Sequence, residues 1–312
     1  MAALLGGCAP AALPGGPILA GRVDPETVAS ATVATASGEC TLRLRASLPV
    51  SVVGLPLVPA RINGQAATLI LDTGAESTLL TEAAAKRLGV SSRYDFMRSI
   101  SGIGGSVATG DAALASMSLG GIALSYPRAL VGRVAFRLGP IDADGLLGAS
   151  LLGDFDLDLD IPHRRVDLYD RMDCATVRPA WRGRYVALQT TRSLSAHPFF
   201  PISVNGRTIS ASLDTGAQRT VIAARAAAAL GIGAQGQLVG QQTTIGAAGE
   251  SMPATLHLLR DVRVGGVPLR GPVIVAPATL PRDIDALLGF DFLLGHRVWL
   301  SYGSRRIFIS AE

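Results

Sequence analysis

Along this chain the apolar residues come in short runs rather than in helical stripes. Most runs last four to eight residues and end at Gly, Pro or Asn-Gly, a pattern that predicts β-strands joined by tight turns. Asn63-Gly64 and Asn205-Gly206 are the strongest turn signals, because the favoured two-residue hairpin turn needs positive φ at both central residues. After each turn an apolar strand runs into the same four residues, "LILDTGAEST" from Leu69 and "SASLDTGAQRT" from Ser210. Two Ala-rich stretches follow, "TEAAAKRLG" and "AARAAAALG". They predict short helices stopped by Gly89 and Gly231, since Ala favours helix and Gly favours the left-handed residue that ends one.

These matches belong to one long repeat. Asp72 and Asp214 are 142 residues apart (214 − 72 = 142), and the interval holds within a few residues for the rest of the unit. "SISGIGGSV" from Ser99 corresponds to "TTIGAAGES" from Thr243, each a Gly-rich hairpin tip. "SLGGIAL" corresponds to "RVGGVPL", and "DADGLLG" from Asp142 to "DIDALLG" from Asp283. Each unit closes with a hairpin, "DFDLDLDIPHRRVDLY" and "HRVWLSYGSRRIFIS". A duplication this long predicts two similar lobes rather than a solenoid. The fold class is therefore mostly β, in two pseudo-symmetric lobes with short helices. The expected divisions are a tail over 1–45, a first lobe over 46–175 and a second over 176–312. In the first closing hairpin Asp154, Asp156, Asp158 and Asp160 alternate with Phe155, Leu157, Leu159 and Ile161. Period 2 puts the carboxylates on one strand face, which reads as a solvated face rather than a metal site.

Composition narrows the classes. With 312 residues, 48% hydrophobic and 17% charged, the chain has ample core-forming material and little room for long disorder. Its formal charge of +4 comes from scattered Arg with few interleaved aromatics, so no nucleic-acid surface is expected. There is no apolar run of the roughly 18 residues that a membrane-spanning helix needs. His163, His197, His257 and His296 lie apart without metal-ligand spacing, and neither a metal nor a cofactor is expected. Leu5-Gly6-Gly7-Cys8 resembles the lipobox of bacterial lipoproteins, in which the Cys is lipidated. The seven residues before Cys8 are too few for an export signal. Cys8 is thus either the lipid anchor of a truncated signal, implying an envelope or periplasmic location, or an ordinary Cys in an Ala/Gly tail. Cys40 and Cys174 have no CxxC spacing. They are either one disulfide of an exported protein or two unrelated buried thiols.

The candidate chemistry lies in the twin Asp-Thr-Gly-Ala turns. Two carboxylates held about 3 Å apart across a pseudo-two-fold axis cannot both ionise, so they share a proton. One can then act as base on a water while the other polarises a peptide carbonyl. Gly74 and Gly216 allow the tight turn, and the Thr73 and Thr215 hydroxyls can tie the lobes together.

In these motifs the chain resembles the aspartic peptidases of the retropepsin/pepsin clan, in a single-chain form with both lobes. Three elements carry the resemblance in each half. They are apolar-Asp-Thr-Gly-Ala, the Gly-rich hairpin, and apolar-apolar-Gly at Leu146-Leu147-Gly148 and Leu287-Leu288-Gly289. The last follows each Asp at near-equal distance (148 − 72 = 76; 289 − 214 = 75). The resemblance implies Asp72 and Asp214 as the catalytic pair, supported by Thr73, Gly74, Thr215 and Gly216. It implies flaps at Gly102, Ile103, Gly104 and Gly105 and at Ile245 and Gly246, and ψ-loops through Leu147, Gly148, Leu288 and Gly289. The implied partner is a protein or peptide in extended conformation. With both lobes in one chain, a monomer is expected. Ala75 and Ala217 follow the motif, as in retropepsins, where pepsins carry Ser. With no side-chain donor there, the carboxyl pKa values are expected to rise and activity to reach weakly acidic to near-neutral pH. The alternative is a catalytically silent peptide-binding module of the same fold.

Overall fold

Both Asn-Gly pairs close hairpins. Strand Leu55–Ile62 pairs with Gln65–Leu71 and Pro198–Val204 with Arg207–Leu213. Asn63 and Asn205 both have φ 49°, and Gly64 and Gly206 have φ 78° and 76°. This double positive φ matches the right-handed twist of the flanking strands. The structure, a computed structural model, describes residues 19–23, 33–35, 38–102, 105–192, 198–235, 237–245, 251–277, 280 and 283–311. Cys8, Ile103, Gly104 and Gly246, expected above as lipid anchor and flap residues, lie outside them.

The chain is mostly β, and each repeat builds a ten-stranded sheet. The Ala-rich helices form where the sequence predicts them, at Glu82–Arg87 and Ala224–Leu230. Thr81 caps the first by accepting the Ala84 N–H at 3.0 Å, and Gly231 ends the second with φ 67°. The apolar-apolar-Gly segments become the central threads of the two sheets. Gly145–Leu147 runs parallel to Gln65–Leu71 and antiparallel to Leu79–Thr81. Ala286–Leu288 does the same between Arg207–Leu213 and Val221–Ala223.

The closing hairpins do not stay within their own repeats. Phe155–Asp160 pairs with Val298–Ser301, Leu157 opposite Leu300. The two hairpins thereby merge into one seven-stranded sheet, which also takes Leu19–Val23, Leu44–Pro49 and Gly183–Gln189. A single apolar cluster continues through both halves, including Leu48, Leu157, Leu213 and Leu300.

The acidic run corrects the sequence reading. The period-2 segregation holds, and Phe155, Leu157 and Leu159 do face the core. The opposite face, however, is not solvated. Only Asp154 is exposed, whereas Asp156, Asp158 and Asp160 are 0%, 1% and 2% accessible. The chain over 171–185 covers this face and supplies the missing solvation. Trp181 donates its indole N–H to Asp158 Oδ2 at 3.0 Å, and the Met172 N–H donates to Asp156 Oδ2 at 3.4 Å. Ser301 Oγ donates to Asp156 Oδ2 at 2.8 Å. Arg297 clamps Asp158 through Nε and Nη2 at 2.8 and 2.7 Å while its guanidinium stacks on Trp181. Asp160 is met by His163 at 2.7 Å and by Arg165 and Arg297.

The covering segment is tied down covalently, because Cys40 and Cys174 form a disulfide. The bond closes a loop of 134 residues, and in the chain-entropy view long loops gain most from closure. Reduction, or Cys40→Ser with Cys174→Ser, is expected to lower stability by about 2–4 kcal/mol. Denaturant titration with and without reductant measures this.

Candidate active site

Each Asp is held at the end of a buried strand. Leu69, Ile70 and Leu71 lead into Asp72, and Ala211, Ser212 and Leu213 into Asp214, all of them shielded from solvent. The neighbouring thread fixes the backbone, with the Asp72 N–H donating to Leu147 O at 3.0 Å and the Asp214 N–H to Leu288 O at 2.9 Å. Gly148 and Gly289 must be glycine here. A Cβ on either would run into backbone, Ser77 O in the first case and the Arg219 carbonyl in the second.

Thr73 and Thr215 join the halves reciprocally. The Thr73 N–H donates to Thr215 Oγ1 at 3.0 Å, and that hydroxyl donates to Leu71 O at 2.6 Å. In return the Thr215 N–H donates to Thr73 Oγ1 at 3.2 Å, and Thr73 Oγ1 donates to Leu213 O at 3.0 Å. Both threonines are buried, so these four bonds do not compete with water.

The grip brings the two carboxyls together. Both carboxyls are almost wholly buried, and each lies against the glycine of the opposite turn. Each also accepts from its own turn. Gly74 N–H reaches Asp72 Oδ1 at 2.9 Å, and Gly216 and Ala217 N–H reach Asp214 Oδ1 at 2.9 and 3.0 Å. The glycines face the opposite aspartate. A Cβ on Gly74 would lie 2.5 Å from Asp214 Oδ1, and one on Gly216 2.5 Å from Asp72 Cγ. Any side chain there would push the carboxyls apart. The turn glycines are thus required by the approach of the second lobe as well as by the turn.

Burial dominates the electrostatics. It raises the Asp72 carboxyl to about 7, against the pull of the Gly74 and Ala75 N–H groups and of a hydrogen bond from Asp214. Asp214 is held well above the ordinary range by burial and then by the charge of Asp72. Such a pair titrates as a unit and shares one proton. One carboxylate and one carboxylic acid therefore face each other in a low-dielectric site.

The structure places the other sequence-predicted residues as follows. Gly102 and Gly105 are paired at the end of the hairpin Arg93–Gly102 and Gly105–Ala113. Ile245 ends strand Gln237–Ile245, opposite Ser251. His163 serves Asp160, His257 contacts Thr255, and His296 stacks on Phe292, so none of these three joins the pair of aspartates.

Sequence reasoning missed three supports. Thr78 and Thr220 accept the Gly148 and Gly289 N–H groups, both at 3.1 Å, which holds each thread to its Asp turn. Their signal was available, since Thr stands six places after the Asp in both copies. Asp144 and Asp285, just before the two threads, accept the Thr68 and Ser210 N–H groups and pair with Arg87 and Arg225. They too recur in both copies. Tyr302 has no such signal. Its buried phenol is pushed up by burial and by the charges of Asp72 and Asp156.

A family model described as aspartyl protease matches the chain twice, over residues 58–151 and 200–292, once in each repeat and together over more than half its length. No curated protein matches it significantly.

Proposed function

The chain belongs to the aspartyl protease family, and from that premise we propose that it is an endopeptidase that hydrolyses peptide bonds with a water activated between Asp72 and Asp214. The observation that carries the reading is the pair of buried carboxyls at the ends of equivalent strands, each against the glycine of the opposite turn. Asp72, ionised, takes a proton from the water as its oxygen bonds to the peptide carbonyl carbon. Asp214, protonated, gives its proton to the carbonyl oxygen, so the tetrahedral intermediate carries no net charge. On collapse the C–N bond breaks, the Asp72 proton goes to the departing nitrogen, and a hydroxyl proton returns to Asp214. The turn N–H groups keep each carboxyl fixed through both proton transfers.

The direct test is cleavage of an unstructured polypeptide by the wild-type chain and by Asp72→Asn. Loss of cleavage in the variant is expected. Equal cleavage would overturn the mechanism, and binding without cleavage by the wild type would make the chain a peptide-binding module. The pH profile follows from the two raised carboxyls. Activity needs Asp72 ionised and Asp214 protonated. Both limbs of the bell therefore move above the ordinary carboxylate range, and the optimum is expected near neutral pH rather than in the acid range of ordinary carboxyls. A profile peaking below about pH 3 would contradict this pairing. The Cys40–Cys174 bond supports placing the protein in an oxidising compartment. The presence of both aspartates in one chain supports a monomer.

A further inference from the structure

The two halves differ where the hairpin base meets the helix that follows the aspartate turn. In the first half an exposed ion pair spans this junction. Arg133 reaches Glu82, the first residue of its helix, with Nε and Oε1 3.2 Å apart. The strands behind them pair in parallel in the same register in both halves, Gly132 opposite Thr81 and Ala276 opposite Ala223. The next residues in that register are Ala224 and Pro277, which cannot form an ion pair. A cavity of about 710 Å³ opens there instead, lined by Ala224, Gln241, Pro253, Thr255, Ala276 and Pro277 among others. This is within the size range of ligand pockets, and none of its lining residues among those described is charged. Gln241 and Thr255 are opposite one another on the hairpin and supply the polar contacts.

A second observation falls at the same place. Strand Gln237–Ile245 is the last strand of its sheet and pairs only with Ser251–Leu258, so its outer N–H and C=O groups have no strand partner among the described residues. Its sequence, "QLVGQQTTI", has neither charge nor Pro, the usual guards of an edge. The matching edge of the first half, Arg93–Gly102, carries Arg93, Asp95 and Arg98. At the base of the unguarded edge Leu238, Val239 and Leu258 are exposed. A free backbone edge beside a side-chain pocket is what strand addition uses, the ladder giving affinity and the pocket choosing the side chain.

We propose that the edge of Gln237–Ile245 and the cavity beside it form an exosite. It holds an extended, uncharged stretch of the polypeptide substrate, away from the aspartates, with one apolar side chain in the cavity. The inference rests on the peptidase reading and extends it to substrate choice. The occupant is uncharged because the described lining of the cavity offers no countercharge to a buried ion. It is a single peptide strand rather than the edge of a second copy because the register shifts between Leu238 and Gly240. Such a bulge bends the strand and limits flat pairing to the stretch beyond it.

The test compares two substrates for the full-length chain, a long unstructured uncharged polypeptide and a short peptide of about eight residues that spans only the aspartates. In the double variant Ala224→Glu with Pro277→Arg, which installs the ion pair of the first half, the long-to-short ratio of kcat/KM is expected to fall about tenfold, through KM. Gln241→Lys changes an exposed side chain, so folding tolerates it, and it should lower the same ratio. An unchanged ratio in both variants overturns the exosite. A wild-type dimer that Gln241→Lys converts to monomer also overturns it, in favour of a second copy. If the wild type cleaves neither substrate, the peptidase reading has failed. Kd for the fluorescently labelled long polypeptide then decides the exosite alone, with about tenfold weakening in Gln241→Lys expected and no change overturning it.

Discussion

Asp214→Asn is expected to abolish cleavage of an unstructured polypeptide, by about 10³-fold or more, and to make the folded protein more stable at pH 7. The two effects share one cause. Asn has nearly the shape of Asp and can keep the Gly216 and Ala217 hydrogen bonds as an acceptor, so the turn survives. It cannot hold or return a transferable proton, and the carbonyl oxygen loses its acid. The stability gain follows from linkage. Burial raises Asp214 well above its ordinary value, so the folded state holds this proton to higher pH than the unfolded chain does. A carboxyl shifted in this direction contributes its stability fully below the unfolded value of 3.8 and loses it as pH rises towards the folded value. Asn does not titrate and carries no such penalty. The variant's Tm should therefore exceed that of the wild type at pH 7, by roughly 2–4 °C per kcal/mol recovered, and the gap should close towards pH 4. Thermal melts across pH, run beside the cleavage assay, measure both effects. Cleavage at the wild-type rate, or a lower Tm at pH 7, would contradict the account of the shared proton.

The largest loss of stability is expected for Arg297→Ala. Asp158 is 1% accessible and receives two guanidinium hydrogen bonds from Arg297. Burial pushes its carboxyl up, and Arg297 is the main force pulling it back down. Removing Arg297 leaves a buried charge whose one remaining side-chain donor among the described residues is the Trp181 N–H, takes a partner from Asp160, and strips the cation from the Trp181 face. Breaking one partner of a buried pair typically costs about 3–5 kcal/mol. The loss should shrink on acidification, because a protonated Asp158 needs no countercharge. Replacing both partners, Asp158→Leu with Arg297→Met, should restore much of the stability, since the expense lies in the uncompensated ion rather than in the missing pair. Urea titrations of the three variants at two pH values test this. A loss below about 1 kcal/mol for Arg297→Ala would mean that the pair behaves like an exposed one.

The legibility of the site followed its symmetry. Asp72 and Asp214, the threonines, the glycines and the two threads were readable because each occurs twice at a fixed interval in the same local pattern. Thr78 and Thr220, and Asp144 and Asp285, carried the same signal and could have been found with it. Tyr302 and Arg297 could not. Each acts on a group from the other half, and nothing near them in the chain repeats the arrangement.

By itself the sequence determined the duplication, the mostly β class, the hairpin turns, the capped helices and the twin aspartates. These depend on backbone preferences and on side-chain period, which act over a few residues. Only the tertiary structure decided that the closing hairpins form one shared sheet, that three aspartates on it are buried, and that the second half has a cavity where the first has an ion pair. Period 2 shows that two faces of a strand differ, but not what lies against each. For Asp158 that depended on Trp181 and Arg297, which lie 23 and 139 residues further along the chain. The proton shared between Asp72 and Asp214 is of the same kind, because two ordinary carboxyls become a coupled pair only when the other lobe removes the water around them.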